Sequence, residues 1–519
     1  MLKRFISIGL ILLCSCGRAP QQDRFAVIGI SGDTDSLNPL LTKSRFGMEI
    51  SSMLFLNLME EQPDLVTFEP EFARSWETLE QGRVIRFHLR GDMFWSDSVR
   101  ATAHDVKFTH DLQIDPEVGW SGASVKQQIE AVQVVDDTTV QFVLKAPYRD
   151  QLMDINEGAI LPKHVLESEP PGSLRESDFN RNPVGMGPFR LKSWVSNQHI
   201  ELVRNELYHS ELQPRITGVI FKIVPDKTQL VQQLQTHEVD LVEGIPAQEL
   251  SRLERREDVR IDHFPYAQYV QIAWNLDRPL FQNRAVRRAL TGAIDRDALV
   301  QHLLKGYGRI CTGPVHPMLW AYNADLQPLP YDPEEARAGF EKAGWLDSDG
   351  DGVLDRDGVD FEFTLTTNLG SQVREDALVM VQEMLRKVGV RVIPAKLEWT
   401  VYVEKLTARD FDAVLIGMMS ATKVDLFPTW HSSMTGPNGF NLSNYRNARV
   451  DELIERAREI GDLERAIPLY TELQDIIRED QPATFLWVPD RTVAMSASLK
   501  GCRFSPVSTY FNIDEWYFD

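Results

Sequence analysis

Hydrophobic and polar positions along this chain follow two different periods, and the change from one to the other divides the sequence. Residues 25–30 (FAVIGI) form a short apolar run bounded by polar segments, which predicts a strand. In residues 84–90, Ile85, Phe87 and Leu89 alternate with Arg86, His88 and Arg90, the period of two expected of a half-buried strand. Residues 132–135 and 140–144 flank Asp136-Asp137 and predict a hairpin. Residues 216–224 and 266–274 are further strands, on either side of a helical pattern over 228–234. The first half therefore predicts α+β structure with much antiparallel sheet.

The second half changes period. Ala285, Val286, Ala289, Leu290, Ala293 and Ile294 recur at helical spacing, and Gly306 stops the helical stretch that includes Leu303 and Leu304. Asp332-Pro333-Glu334-Glu335 places Asp at a helix cap, Pro at the first position and Glu at the third. A strand at 361–366, a helix at 375–387 ending at Gly389, a strand at 390–393, another helix and a strand at 411–417 make a βαβαβ run, which predicts a second α/β lobe. Helices near 450–460 and 463–479, separated by Gly461-Asp462, lead to a strand at 484–488. Two lobes with no low-complexity linker between them predict a hinged molecule with a cleft.

Composition narrows what such a cleft can serve. Lys plus Arg number 55 against 76 Asp plus Glu, a net charge of -21, which repels polyphosphate and anionic lipid and argues against nucleic acid as a partner. The first twenty residues, MLKRFISIGLILLCSCGRAP, set Lys3 and Arg4 before an apolar core too short to span a bilayer, the pattern of an export signal. Leu13-Cys14-Ser15-Cys16 resembles the bacterial lipobox, with Cys16 the better lipidation candidate because small Ser15 precedes it. A plain signal peptide with incidental cysteines is the alternative. Cleavage after residue 15 leaves 53 basic and 76 acidic residues, a charge of -23, so attachment to a membrane would be through lipid alone. Cys311 and Cys502 remain in an exported chain, where they either pair or stay as buried thiols.

Motifs for covalent chemistry are missing. There is no G-x-S-x-G elbow, Walker loop or H-E-x-x-H, and Gly185-Met186-Gly187-Pro188 lacks the third glycine of a dinucleotide fingerprint. One ion-site pattern is sharper: Asp347, Asp349, Asp351 and Asp355 stand at positions 1, 3, 5 and 9 of a loop with Gly352 at position 6, the spacing of a loop that wraps Ca²⁺. Position 12 is Gly358 where a bidentate Glu belongs, and the same residues equally favour a hairpin turn. Calcium there would be structural, and no other cofactor is expected.

Several segments, taken in order, resemble the bacterial ABC-transporter solute-binding proteins for oligopeptides, dipeptides and nickel, extracellular solute-binding family 5. They are Asp33-Thr34-Asp35-Ser36-Leu37-Asn38-Pro39, the stretch from Glu69-Pro70 through Trp76 to Gly91-Asp92-Met93-Phe94-Trp95, Leu161-Pro162-Lys163-His164, Gly185 to Phe189, Arg284 to Leu290, Ala343-Gly344-Trp345 and Asn444-Tyr445. The resemblance covers nearly the whole mature chain. It implies an α/β, two-lobed periplasmic-binding-protein-like fold of the large, peptide-binding class with an extra α+β subdomain. Residues 1–15 would be the signal; 16–55, 181–272 and 489–519 the first lobe; 56–180 its subdomain; and 273–488 the second lobe.

The resemblance further implies a monomer that does no chemistry, captures a small solute, most readily a peptide, and delivers it to an ABC permease in the cytoplasmic membrane. The protein would be exported, periplasmic or on the cell surface, and anchored by lipid at Cys16. A ligand-sensing or interaction lipoprotein is the alternative of another class, and a periplasmic hydrolase a weaker one. By position, Asp33, Glu243, Met418, Met419 and Trp487 are candidates for the cleft wall. Peptide binders of the family hold a carboxylate for the ligand's α-ammonium just after a Gly-Trp stretch; here that stretch is Gly417-Met418-Met419-Ser420-Ala421-Thr422, with no acid. The next acid is Asp425, so either it takes that role or the ligand lacks a free amine there.

Overall fold

A computed structural model describes residues 24–208, 213–245, 247–436, 439–506 and 508–519. The signal segment 1–15 and Cys16 lie outside the described residues. Among the described residues no helix is long and apolar enough to cross a membrane.

Twelve strands make one continuous but bipartite sheet: β1 (Phe25–Ile30), β2 (Phe189–Val195), β3 (His199–Arg204), β4 (Gly218–Ile223), β5 (Leu241–Glu243), β6 (Val259–Pro265), β7 (Gln268–Trp274), β8 (Gly308–Ile310), β9 (Glu362–Asn368), β10 (Arg391–Leu397), β11 (Ala413–Met419) and β12 (Ala483–Ser496). Their order is β10-β9-β11-β7-β12-β5-β1-β4-β3-β2, with β6 and β8 also paired to β12. In the first lobe β1 lies parallel to both β4 and β5. In the second, β9 lies parallel to β10 and β11.

The two halves meet at β12. Its first residues pair with β7 and β8, and from Asp490 onward it pairs with β6, so one strand of 14 residues serves both lobes. The sequence pattern puts this strand at 484–488, and the structure extends it to Ala483–Ser496. Pro489 has no N–H to offer a ladder, and it stands at the change of partner, where its carbonyl accepts from Tyr266 N at 3.0 Å. The second crossing is Tyr266-Ala267, between β6 and β7. It lies ahead of residue 273, where the sequence reading begins the second lobe.

The helices cap as their sequences require. Asp332 accepts from the amides of Glu334 and Glu335 and Pro333 opens the helix, as its spacing predicts. The hairpin read at Asp136-Asp137 joins Ile129–Asp136 to Thr139–Leu144 within a four-stranded antiparallel sheet that also holds Ala73–Leu79 and Val84–Leu89. This sheet shares one hydrophobic core with the first lobe, in which Phe55 and Phe179 meet with ring centres 5.9 Å apart. Gly185 belongs to this joint: a Cβ there would lie 1.9 Å from the Leu54 carbonyl oxygen, so only glycine lets the chain pass. The second lobe has its own core, built on Trp274, Phe281 and Phe363 under the helix Gln372–Arg386.

Cys311 and Cys502 are both free thiols, and burial pushes each up to about 12, which leaves them protonated and unreactive. Of the four loop acids, Asp347, Asp349 and Asp351 bring carboxylate oxygens within 4.8 Å of one another. Asp355 turns away, because the Ser348 hydroxyl and amide hold both its oxygens at 2.7 to 2.9 Å. Arg391 at the start of β10 pairs with Asp351 at 3.2 Å, which places this loop at the amino ends of the strands.

Candidate functional site

Parallel strands present their carboxyl ends to ligands, because the turns that leave them are free to vary over a fixed scaffold. Here the carboxyl ends of β1 and β5 and those of β9, β10 and β11 both lie beside the two crossings between the lobes. Ser420 N donates to Ala267 O at 2.9 Å, directly tying the end of β11 to the hinge.

On the first-lobe side, β1 ends at Ile30 and β5 at Glu243. The helices Arg45–Leu54 and Lys227–Gln235 begin there, capped by Ser44 and Asp226. Between them is a cavity of about 300 Å³ lined by Arg45, Phe46, Lys227, Glu243, Tyr266 and Arg491 among others. Its floor is an ion network in which Glu49, Glu243 and Arg491 are buried and Arg45 is partly exposed. Arg45 donates to Glu49 at 2.8 Å and to Glu243, Arg491 lies 3.5 Å from Glu49 and 3.9 Å from Glu243, and the Thr509 hydroxyl donates to Glu243 at 2.8 Å. Burial and the neighbouring Glu243 push Glu49 up to about 7. Burial opposes the charge on Glu243 too, but its hydrogen bond and charge contacts with Arg45 hold its carboxyl below the usual range. Lys227 donates to Gly244 O at 3.2 Å.

On the second-lobe side, Leu369 follows β9, Trp399 follows β10 and Met419 ends β11. They are 49%, 59% and 61% exposed, an apolar row along one edge of the sheet. Leu369 N donates to Leu397 O at 2.7 Å, which keeps the first two turns side by side. Arg374, in the first turn of the helix Gln372–Arg386, reaches back over Gly417. A Cβ on Gly417 would lie 3.2 Å from Arg374 Nη1 and 3.0 Å from Gln268 Nε2, so the glycine makes room for both. Arg374 Nη2 donates to Asn368 Oδ1 at 2.9 Å.

The residues expected on the wall divide. Glu243 lines the first-lobe cavity and Met419 stands exposed on the second-lobe edge. Met418 alternates to the opposite face and packs inward, as strand geometry demands of its neighbour. Trp487 is 1% exposed within the second-lobe core and does not reach the cleft. Asp33 is spent inside its own lobe, accepting from Trp194 Nε1 at 3.0 Å and Asn197 N at 2.8 Å. Asp425 caps Phe427 N at 3.1 Å and faces Arg458 at 3.6 Å. The sequence reading missed Trp399, Leu369 and Arg374; the one available signal was that each sits three to eight residues beyond a predicted strand of the βαβαβ run.

Known proteins share this architecture. The family described as bacterial extracellular solute-binding proteins, family 5 Middle, matches residues 67–439. The chain is 33% identical to the oligopeptide-binding protein AppA of Bacillus subtilis, over 96% of this chain and 92% of that one. It is 25% identical to the dipeptide-binding protein of Escherichia coli, over 93% and 92%. Among solved structures, AppA from Bacillus subtilis in complex with a nonapeptide superposes with a TM-score of 0.76 at 33% identity, covering 96% of this chain and all of that one.

Proposed function

The chain belongs to family 5 of the bacterial extracellular solute-binding proteins, and from that premise we propose that it is the peptide-capturing component of an ABC transporter. The observation that carries this reading is the pairing of two strand-end walls across two adjacent crossings, with exposed apolar side chains on one wall and a lined cavity on the other. Exposed Trp399, Leu369 and Met419 are costly to leave in water unless something covers them, and a peptide's side chains would do so. Backbone groups of the ligand would be met by strand-end amides and carbonyls, as in other recognition of extended peptides. The protein would perform no covalent step: it would hold the peptide, then yield it to the permease.

The anchoring at Cys16 and the monomeric state belong to the same reading. An acidic surface of -23 does not hold a protein to anionic lipid, so a diacyl group would supply the attachment. Cys16→Ser in the producing cell is expected to move the protein from the membrane to the soluble fraction.

The test of ligand class is titration of the purified mature protein with a tetrapeptide library, read by tryptophan fluorescence and calorimetry, with mass spectrometry of any small molecule that copurifies. Saturable binding of peptides with a fluorescence change is expected. A copurifying solute that is not a peptide, together with no response to the library, would overturn the reading.

A further inference from the structure

A leucine in the left-handed backbone region is an outlier, because its Cβ crowds the following carbonyl, and glycine or asparagine fills such a place at less cost. Leu65 stands there, with a φ of 58°. It lies in the turn of the subdomain hairpin that pairs Met59–Glu61 with Phe68–Pro70. The turn holds this conformation by itself. One carboxylate oxygen of Asp64 accepts from the amides of Val66 and Thr67, each at 2.9 Å, and the other from the Thr67 hydroxyl at 2.7 Å. Leu65 N donates to Gln62 O at 2.9 Å and Gln62 N to Thr67 O at 3.0 Å. These bonds use the backbone of residue 65 and not its side chain, so the turn alone gives no reason for a leucine, and the reason lies in what the side chain reaches.

It reaches the other lobe. Leu65 is 2% exposed, and the hydrophobic cluster that buries it belongs to the second lobe, since every other buried member lies between Tyr269 and Val488. Two polar ties from the same subdomain end on that cluster. Arg149 donates to the carbonyls of Val424 and Ala457 and to the Tyr470 hydroxyl, three residues that are themselves members of it, and Asp154 pairs with the adjacent Lys423. The subdomain shares its main core with the first lobe, so this patch is where the second lobe meets a part of the lobe it turns against. None of Leu369, Trp399 and Met419 belongs to it.

We propose that the hairpin tip is a latch between the lobes: Leu65, preset by its own turn, enters the second-lobe patch as the lobes close, and together with Arg149 and the Asp154–Lys423 pair keeps a fraction of the protein closed when no ligand is present. A ligand that binds the closed form has an apparent Kd equal to its intrinsic Kd divided by the closed fraction. The latch therefore sets affinity from outside the cleft, by the same factor for every ligand, and it does so whichever solute the cleft takes.

The test is pulsed electron-spin resonance on the full mature protein, with spin labels at Val195→Cys on the first lobe and Val379→Cys on the second, both exposed. Unliganded protein is expected to show a population at the separation of this structure, in which the latch is engaged, and another away from it. Leu65→Ser and Arg149→Met should each lower the engaged population relative to the other by about tenfold, and should weaken binding of the tetrapeptide library by a similar factor in calorimetry. Leu65→Gly guards against misfolding, because glycine suits the positive φ and only the side chain is lost. A Leu65→Gly protein with the populations of the parent would overturn the latch, as would a parent that shows no engaged population without ligand. The distances are read with no ligand present, so if the populations shift and no peptide binds, the latch stands and the peptide reading falls.

Discussion

Replacing Arg149 by Met should loosen the joint between the subdomain and the second lobe, and the structure sets the size of the effect. The Arg149 side chain is 5% exposed and pairs with Asp150 at 2.9 Å. From there it crosses to the second lobe, donating to Ala457 O at 3.1 Å, Val424 O at 3.2 Å and the Tyr470 hydroxyl at 3.4 Å, with its guanidinium 5.4 Å from the Trp320 ring centre. Val424 O keeps the Tyr470 hydroxyl as a donor at 3.1 Å, so its loss is partial. Ala457 O loses its described side-chain donor, and Asp150, 24% exposed, is only partly rehydrated. One unmet carbonyl and one half-stranded carboxylate together amount to about 2–4 kcal/mol. Native-state hydrogen exchange reads such a local opening directly. The amides of Asp154, Glu157 and Trp430, each bonded to a carbonyl near this joint, should exchange about 30- to 1,000-fold faster. Lys107→Ala, which removes only an exposed pair with Asp111, is the control and should leave them unchanged. Exchange within threefold of the parent at all three amides would refute the assignment of Arg149 as a tie between the two units.

Trp399→Ala should weaken peptide binding about tenfold and remove most of the ligand-induced fluorescence change, since an exposed ring on the wall is the kind of anchor that dominates an interface; unchanged Kd by calorimetry would put the ligand elsewhere. Gly185→Ala should destabilise by more than about 2 kcal/mol, because the backbone oxygen of Leu54 cannot move aside, whereas Gly461→Ala, with open space around it, should be neutral or slightly stabilising by urea denaturation. Burial pushes Glu60 and Glu61 up to about 7, Glu71 up to about 8 and Asp514 up to about 6, so the folded protein keeps protons that the unfolded chain releases near pH 4.5 for the glutamates and 3.8 for the aspartate. Stability contributed by these groups is therefore lost as pH rises through the folded values, and the urea midpoint should fall between pH 5 and pH 7. His110 and His316, pushed down to about 4 by burial, act in the opposite sense but are fewer. A midpoint that rises over this range, or a Glu71→Gln variant with the same slope as the parent, would contradict the assignment.

Local rules carried much of the fold from sequence alone. The alternation in 84–90, the Asp136-Asp137 hairpin and the Asp332-Pro333 cap each depend on near neighbours, and each stands where the pattern puts it. What failed was whatever depended on a distant partner. Residues 483–488 are buried on both faces, so they form a nearly continuous apolar run, and nothing in such a run says that Trp487 faces a core instead of a cleft. Pro489-Asp490 looks like an ending because the partner strands that carry β12 onward, β5 and β6, are more than two hundred residues away. Asp33 and Asp425 were judged by position, and position does not show that Trp194 and Arg458 already occupy them. Arg374 is illegible for the converse reason: in the first turn of an amphipathic helix it resembles any solvated side chain, and its surroundings are visible only once β11 and β7 are in place.

The same topology decides what must give when one lobe turns on the other. Both crossings lie side by side, joined by the hydrogen bond from Tyr266 N to Pro489 O, so they can bend together with little strain. The subdomain is fastened to the first lobe through a shared core that includes Phe55, Phe72 and Phe179, which is far too large to part. Its ties to the second lobe are few and mostly polar: Arg149, the pair between Asp154 and Lys423, and Leu65 inserted at the edge of the second-lobe core. A rotation about the crossings must therefore strain or break these contacts and leave the core intact. Lys423 and Val424 lie four and five residues beyond the strand that carries Gly417 and Met419, so the contacts that must yield are attached to the wall proposed to hold the ligand. Occupancy of that wall and release of the subdomain are consequently linked by a segment of only a few residues, and a change at Arg149 should be felt in the cleft as well as at the joint.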